Sequence, residues 1–253
     1  MQVTFLGTGT SGGVPLIACD CEVCQSTDPR DKRLRTSILI EVNNLAIAVD
    51  CGPDFRQQML RERVKHLDAI LMTHQHKDHT GGLDDIRSFN FINKKPIDIY
   101  CDYPTELGIK EQYSYVFTET DYPYLPKMSF HRVTDEPFNN DSLKVVPIEV
   151  MHATMPVKAY RFGDFTYITD AKTISKSELE KIKGTKVLVV NALRYENHYS
   201  HFTINEAIQL VEAIKPDVTY FIHMSHQFGF HKVMEQKLPS HIRVSYDGLK
   251  IEV

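Results

Sequence analysis

The segment His74-Gln75-His76-Lys77-Asp78-His79 places four side chains that bind divalent cations within six positions, directly after the apolar run Ala69-Ile70-Leu71-Met72. So many polar groups cannot share a packed face, and histidine and aspartate continue a strand poorly. The chain must stop a strand here and open into a loop that offers imidazole nitrogens and a carboxylate to a metal such as zinc. Three more residues stand at equivalent places: His152 follows Val145–Met151, Asp170 closes Thr166-Tyr167-Ile168-Thr169, and His223 follows Val218-Thr219-Tyr220-Phe221-Ile222. Residues just beyond strand ends converge when those ends share one edge of a sheet. His74, His76, Asp78, His79, His152, Asp170 and His223 make seven ligands, too many for one zinc. Two metals sharing one bridging carboxylate use all seven and leave positions open for water or substrate, which is a catalytic arrangement rather than a closed one.

Around these positions, short apolar runs alternate with amphipathic stretches. Strands are expected over Val3–Gly7, Ser37–Val42, Leu45–Asp50, Ala69–Thr73, Ile97–Cys101, Leu143–Met151, Ala159–Phe162, Thr166–Asp170, Val187–Asn191 and Val218–Ile222. Helices are expected over Pro53–Arg63, Thr105–Phe117, Ser175–Lys183, Thr203–Ile214 and Phe230–Leu238, with Pro53 at the first helical position. Asn43-Asn44 suggests a tight hairpin, and Thr203 with Glu206 forms a capping box. An early hairpin without a strict βαβ rhythm predicts a mixed-sheet α/β fold, one domain over residues 1–253. The aromatic stretch Tyr113–Pro126 reads as a helix end packed on the core, a lid or a subunit contact.

Composition removes several classes. A net charge of −4 gives no global attraction to nucleic acid or anionic membrane. No run reaches the roughly 18 apolar residues of a membrane span. Met1–Gly7 lacks the basic start and apolar core of a secretory signal, and five cysteines do not form a disulfide framework, so a reducing cytoplasm is expected.

His74-x-His76-x-Asp78-His79, with His152, Asp170 and His223, resembles the metallo-β-lactamase superfamily over nearly the whole chain. The resemblance implies an αββα sandwich, two mixed sheets face to face with helices outside and metals at one edge. It implies that His74, His76 and His152 hold one metal, that Asp78, His79 and His223 hold the other, and that Asp170 bridges. Asp50, closing Ala46-Ile47-Ala48-Val49, matches the family's strand-end aspartate and is expected to orient a ligand.

Three thiols, Cys19, Cys21 and Cys24, lie in six positions and cannot all pair among themselves. A tetrahedral site needs a fourth ligand, and His226, three residues after His223, completes a closed Cys₃His set suited to structural zinc. This combination is similar to the phosphoribosyl cyclic phosphate phosphodiesterases of the carbon–phosphorus lyase pathway. That resemblance implies a pair of catalytic zinc or manganese ions, a small phosphodiester as substrate, a homodimer, and His201 as general acid beside Asp78 and the other site residues. Arg30, Lys32, Arg33 and Arg35 form a basic run that reads first as a solvated loop, with one of them, Arg35 being nearest the next strand, as a candidate contact to a substrate phosphate. Gly7-Thr8-Gly9-Thr10-Ser11-Gly12 matches a dinucleotide fingerprint by letter, but no helix signal follows it.

Rival readings keep the scaffold and change the chemistry. A nuclease of the tRNA 3′-processing type would want a long arm for gripping RNA, which the sequence does not display. A di-iron redox protein would typically carry glutamate where His76 stands.

Overall fold

The computed structural model describes residues 1–118 and 122–253, so part of the aromatic stretch, residues 119–121, lies outside the described residues. One sheet contains β1 (Gln2–Gly7), β2 (Ser37–Val42), β3 (Leu45–Val49), β4 (Ala69–Leu71), β5 (Ile97–Cys101) and β6 (Met128–Arg132) in that order, with β15 (Lys250–Glu252) outside β1. The second runs β11 (Thr173–Ile174), β8 (Leu143–His152), β9 (Met155–Phe162), β10 (Phe165–Ile168), β12 (Val187–Asn191), β13 (Val218–Ile222) and β14 (Ile242–Val244), and β7 (Phe138–Asn140) also pairs with β8. Both sheets are mixed: β1 to β3 are antiparallel and β3 to β6 parallel, while β8 to β10 are antiparallel and β10, β12, β13 and β14 parallel.

The period of two along each strand builds the layers. Val3, Phe5, Ile38, Ile40, Ile47 and Val49 meet Tyr160, Phe165, Tyr167, Val189 and Ile222 between the sheets. The opposite faces are covered by helices: Leu39, Ala48 and Ile70 pack with Phe55, Met59 and Ile109, and Val150, Leu188 and Phe221 pack with Ile204, Val211 and Met234. Strands buried on both faces read as continuous apolar runs, which is why they were legible in the sequence. The result is the expected αββα sandwich.

Local signals hold at most places and slip at a few. Asn43 and Asn44 adopt φ of 48° and 67°, the left-handed pair a tight hairpin requires. The capping box at Thr203 and Glu206 is formed on both sides. Pro53, however, is not the first helical residue: the helix is Phe55–Glu62, and Asp54 at its N-cap position makes no side-chain cap bond, its carboxylate being taken by Arg35. The helix expected over Thr105–Phe117 occupies Tyr103–Gln112, capped by Asp102 with Pro104 in its first turn, and it ends in a short 3₁₀ turn at Ser114–Val116. No helix of the described residues is long and apolar enough to cross a membrane.

Candidate metal centres

The chain leaves β4 under constraint from both sheets. Tyr160 Oη donates to the Met72 carbonyl at 2.6 Å, and the Lys158 amide donates to the Thr73 carbonyl at 2.9 Å, so β9 grips the turn from across the core. His76 then starts a short helical turn, Lys77–Thr80, in which the amides of His79 and Thr80 donate to the His76 carbonyl. Two side chains from the end of the helix Tyr103–Gln112 hold this turn from outside. Gln112 Nε2 donates to the Gln75 carbonyl at 2.9 Å, and Tyr113 Oη donates to the Thr80 carbonyl at 2.8 Å. Gly52 permits the closest approach, since a Cβ there would lie 2.1 Å from the Asp78 carbonyl oxygen.

Three strand ends deliver residues to the same edge through the left-handed region: Asp50 at φ 66°, Asp170 at 54° and His223 at 57°. Each such turn in a non-glycine residue costs about 1–2 kcal/mol, and together they swing these side chains off their strands toward one point. His74 Nε2 lies 3.1 Å from His76 Nδ1, and the His152 ring is 5.8 and 5.4 Å from those two rings. Asp170 Oδ1 lies 3.4 Å from His79 Nε2 and 3.3 Å from His223 Nε2, and Asp78 Oδ2 lies 3.3 Å from His79 Nε2. One ligand atom from each of Asp78, His79, Asp170 and His223 falls within 4.8 Å of the others, and the same holds for His152, Asp170 and His201. The seven predicted residues are therefore brought together, with Asp170 common to both groups.

Outer partners set which ring nitrogen faces inward. Asp50 Oδ2 accepts from His79 Nδ1 at 2.7 Å, and the Ser200 carbonyl accepts from His152 Nδ1 at 3.0 Å, which turns Nε2 of both rings toward the shared edge. Thr73 Oγ1 donates to Asp50 and accepts from His74 Nδ1 at 2.9 Å, which turns His74 Nε2 the same way. Burial pushes the His79 pKa down, but Asp170, Asp50 and Asp78 together outweigh it and hold the ring well above its ordinary value. Burial likewise pushes Asp170 up, and His223 and His79 outweigh it and hold the carboxyl well below. The donor set fits divalent cations on an independent observation. His223 is buried, yet neither of its ring nitrogens has a hydrogen-bond partner, an arrangement costing about 1–3 kcal/mol for each unsatisfied group unless something else binds there.

The thiols form a second centre. Cys19 Sγ and Cys21 Sγ each lie 3.3 Å from His226 Nδ1, and Cys24 completes a group of four ligand atoms within 4.8 Å. The Cys24 amide, followed by His226, pulls the Cys21 thiol down to about 6, whereas burial pushes Cys24 up to about 11. A cation held by this set would displace the proton that burial alone keeps on Cys24. The two centres are joined by Met224, whose amide donates to the Thr8 carbonyl while its own carbonyl accepts from Thr10. The glycines of the N-terminal fingerprint serve this packing: a Cβ on Gly7 would stand 1.9 Å from the Arg35 carbonyl oxygen, and the first helix begins only at Glu22.

The basic run does not reach the metal edge as a free charge. Arg30 pairs with Asp28, Arg35 pairs with Asp54 at 3.0 Å, and Arg33 is buried with Nη1 donating to Thr8 Oγ1 and the Ser245 carbonyl. Arg35, the candidate phosphate contact, is held in an ion pair with Asp54. His201 is buried, 3.9 Å from Asp170 Oδ2, with its ring 4.6 Å from His152 and 4.5 Å from His223. Of the aromatic stretch, Tyr113 is buried against the metal turn, while Tyr115, Phe117, Tyr122 and Tyr124 are exposed. A surface cavity of about 510 Å³ over Phe117 and Tyr122 shares no lining residue with the metal centres.

A model of the β-lactamase superfamily domain matches residues 46–224. A Porphyromonas gingivalis protein named octanoyltransferase is 40% identical over 253 residues, 99% of this chain and 51% of its own length. A ribonuclease Z of Prochlorococcus marinus is 27% identical over 189 residues, 73% of this chain and 54% of its own. The chain thus spans about half the length of these curated relatives. Among solved structures, a diphosphatase from the PhnP family superposes with a TM-score of 0.94 at 37% identity, covering 100% of this chain and 97% of that one. Zinc-bound PqqB from Methylobacterium extorquens superposes at 0.81 and 18% identity, covering 100% of both chains, a likeness of fold alone.

Proposed function

The chain belongs to the β-lactamase superfamily, and from that premise we propose that it is a metal-dependent phosphodiesterase hydrolysing a small cyclic phosphate diester. The observation that carries this reading is the sharing of Asp170. Its Oδ1 serves His79 and His223 while its other oxygen faces His201, so metal ligands and a proton-bearing group surround one small space. When bound, a pair of divalent cations, zinc or manganese, supplies Lewis acidity toward a phosphoryl group and a lowered pKa for water. His74, His76 and His152 would hold one, and Asp78, His79 and His223 the other, with Asp170 between them. The Cys₃His set would hold a structural zinc.

The protein's own residues supply the proton. A departing alkoxide needs one, and His201 is the group placed to give it. Burial, followed by the His223 charge, pushes His201 down to about 2, so the free protein carries it neutral. An anionic phosphodiester entering beside it opposes that bias and draws a proton toward the ring. The PhnP-family neighbour supports phosphate chemistry, and the Cys₃His set supports the same subgroup.

The ribonuclease Z relatives favour a second reading, cleavage at an RNA 3′ end, with the same metal chemistry. The octanoyltransferase name describes a protein about twice as long, of which this chain matches 51%. Turnover of the zinc- or manganese-loaded protein on ribosyl cyclic phosphates, linear diesters and precursor tRNA tests the reading. Preference for the cyclic sugar phosphate is expected, and preference for tRNA would replace it with the second reading.

A further inference from the structure

The five cysteines divide by their surroundings. Cys51 and Cys101 are buried in the packing between the first sheet and its helices. Cys19 and Cys21 are half-buried on a surface loop whose tip, Ile17, is 91% exposed, whereas Cys24 is buried. Cys21 is the N-cap of the short helix Glu22–Gln25, and the Cys24 amide donates to its Sγ at 3.5 Å. The Leu16 amide donates to Cys24 Sγ at 3.4 Å and fixes the second sulfur in turn. Both sulfurs belong to the group of ligand atoms that lie within 4.8 Å of one another.

A closed structural zinc site needs none of this asymmetry, but an oxidisable dithiol does. One sulfur of such a pair must be reachable, and the other must wait beside it, sheltered from the reagent. A disulfide requires Cα atoms about 4.4–6.8 Å apart, a span that residues three apart on one helical turn provide. Cys21 and Cys24 have that spacing, and the amide of the second already touches the sulfur of the first. No backbone amide among the described residues holds the Cys19 sulfur, which lies 3.3 Å from His226 Nδ1.

We infer that Cys21 and Cys24 are a redox modification site, at which a hydroperoxide closes a disulfide and releases the cation of the Cys₃His set. The Cys21 thiolate attacks one peroxide oxygen, the O–O bond breaks, and a sulfenic acid and hydroxide form. The Cys24 thiolate then attacks the Cys21 sulfur, the S–S bond forms, and the sulfenic oxygen leaves as a second hydroxide. Two thiolates lose two electrons and the peroxide gains them. Cys19 and His226 remain, two ligands where a structural zinc needs four. The loop 11–25 then loses its tether, whereas His223 keeps its place. Met224 stays bonded to Thr8 and Thr10, and Ser225 stays bonded to the Leu193 carbonyl at 3.2 and 3.0 Å.

The test treats the metal-loaded protein with a small excess of hydrogen peroxide and follows zinc release with a chromophoric chelator. About one equivalent of zinc should leave for each disulfide formed, and dithiothreitol with added zinc should restore it. Cleavage after Glu22 separates Cys21 from Cys24, and cleavage before Asp20 separates Cys19 from both. Mass spectrometry of the unreduced fragments therefore reads the pairing, and a Cys21–Cys24 link is expected. Cys51 and Cys101 are internal controls that should oxidise at least about tenfold more slowly. In Cys24→Ser, Cys21 should stop at the sulfenic acid and be trapped by dimedone. If that variant does not fold, the wild-type map alone decides. A link that uses Cys19, a sulfinic acid on Cys21 without a disulfide, or zinc release only where Cys51 and Cys101 are oxidised as well would overturn the pair. None of these readouts depends on hydrolysis of a diester, so the fate of the phosphodiesterase reading leaves them unchanged.

Discussion

His201 has a buried Nδ1 without a hydrogen-bond partner beside Asp170, so its removal leaves the neighbouring ligands' own bonds intact. His201→Ala should lower kcat by about 10²–10⁴-fold on a ribosyl diester. A nitrophenyl leaving group needs little protonation, so the loss there should be far smaller, and metal content should stay unchanged. Equal losses on both substrates would remove His201 from acid catalysis, and a fall in bound metal would make it a ligand, as its proximity to His152 and Asp170 permits. A second histidine reports on stability. Burial, followed by Arg33 and Arg30, pushes His231 down to about 4 from an ordinary 6.5, and its Nδ1 is buried and unpartnered. The unfolded chain then binds a proton that the folded protein refuses. The stability His231 contributes is whole above about 6.5 and is lost as pH falls toward about 4, up to about 3 kcal/mol in all. The Tm of His231→Asn should accordingly depend less on pH across that window than the wild-type Tm. Parallel curves would show that His231 is not the group responsible.

The helix Tyr103–Gln112 acts on the metal turn as an element, through its last side chain and the residue after it. Gln112 bonds the carbonyl between two ligand histidines, and Thr80 Oγ1 meets its other end at 2.9 Å. Gly108 makes room for this contact, because a Cβ there would lie 2.7 Å from Gln75 Oε1. Gln112→Leu keeps the volume and loses both bonds, each worth about 1 kcal/mol. The expected outcome is a roughly tenfold weaker metal affinity at the histidine–aspartate centre, read by competition with a chelator, while the Cys₃His centre keeps its zinc. Equal affinity in the variant would reduce the helix to a packing element. Nothing in the helix's own pattern announced this role. The helix starts at Tyr103 behind the Asp102 cap, two residues ahead of the Thr105 expected from the sequence, and its hold on the turn depends on a residue 37 positions away.

For the whole molecule, an open centre and a closed one at neighbouring places predict two stages of metal loss. Mild chelation should strip the histidine–aspartate centre and abolish activity while about one equivalent of zinc remains on the thiolates. Loss from both centres at one rate would remove the distinction between them. The sequence by itself determined the His74–His79 cluster, the three clustered thiols, most strand positions and the capping box at Thr203, because each is written in residues close together in the chain. Alternating apolar runs specify a doubly buried strand wherever they occur, and ligands at strand ends follow from them. Only the tertiary structure decided the short strands β6, β7, β11, β14 and β15, which lack a run long enough to read and form because a neighbour offers them an edge. It also decided which arginines are neutralised. Arg33 and Arg35 read as a basic patch, yet one is buried against Ser245 and the other paired with Asp54. The tautomers of His79 and His152 belong to the same class, set by Asp50 and by the Ser200 carbonyl 29 and 48 positions away. Charge pairing and hydrogen bonding act over a few ångströms, and only the folded chain brings such distant atoms that close.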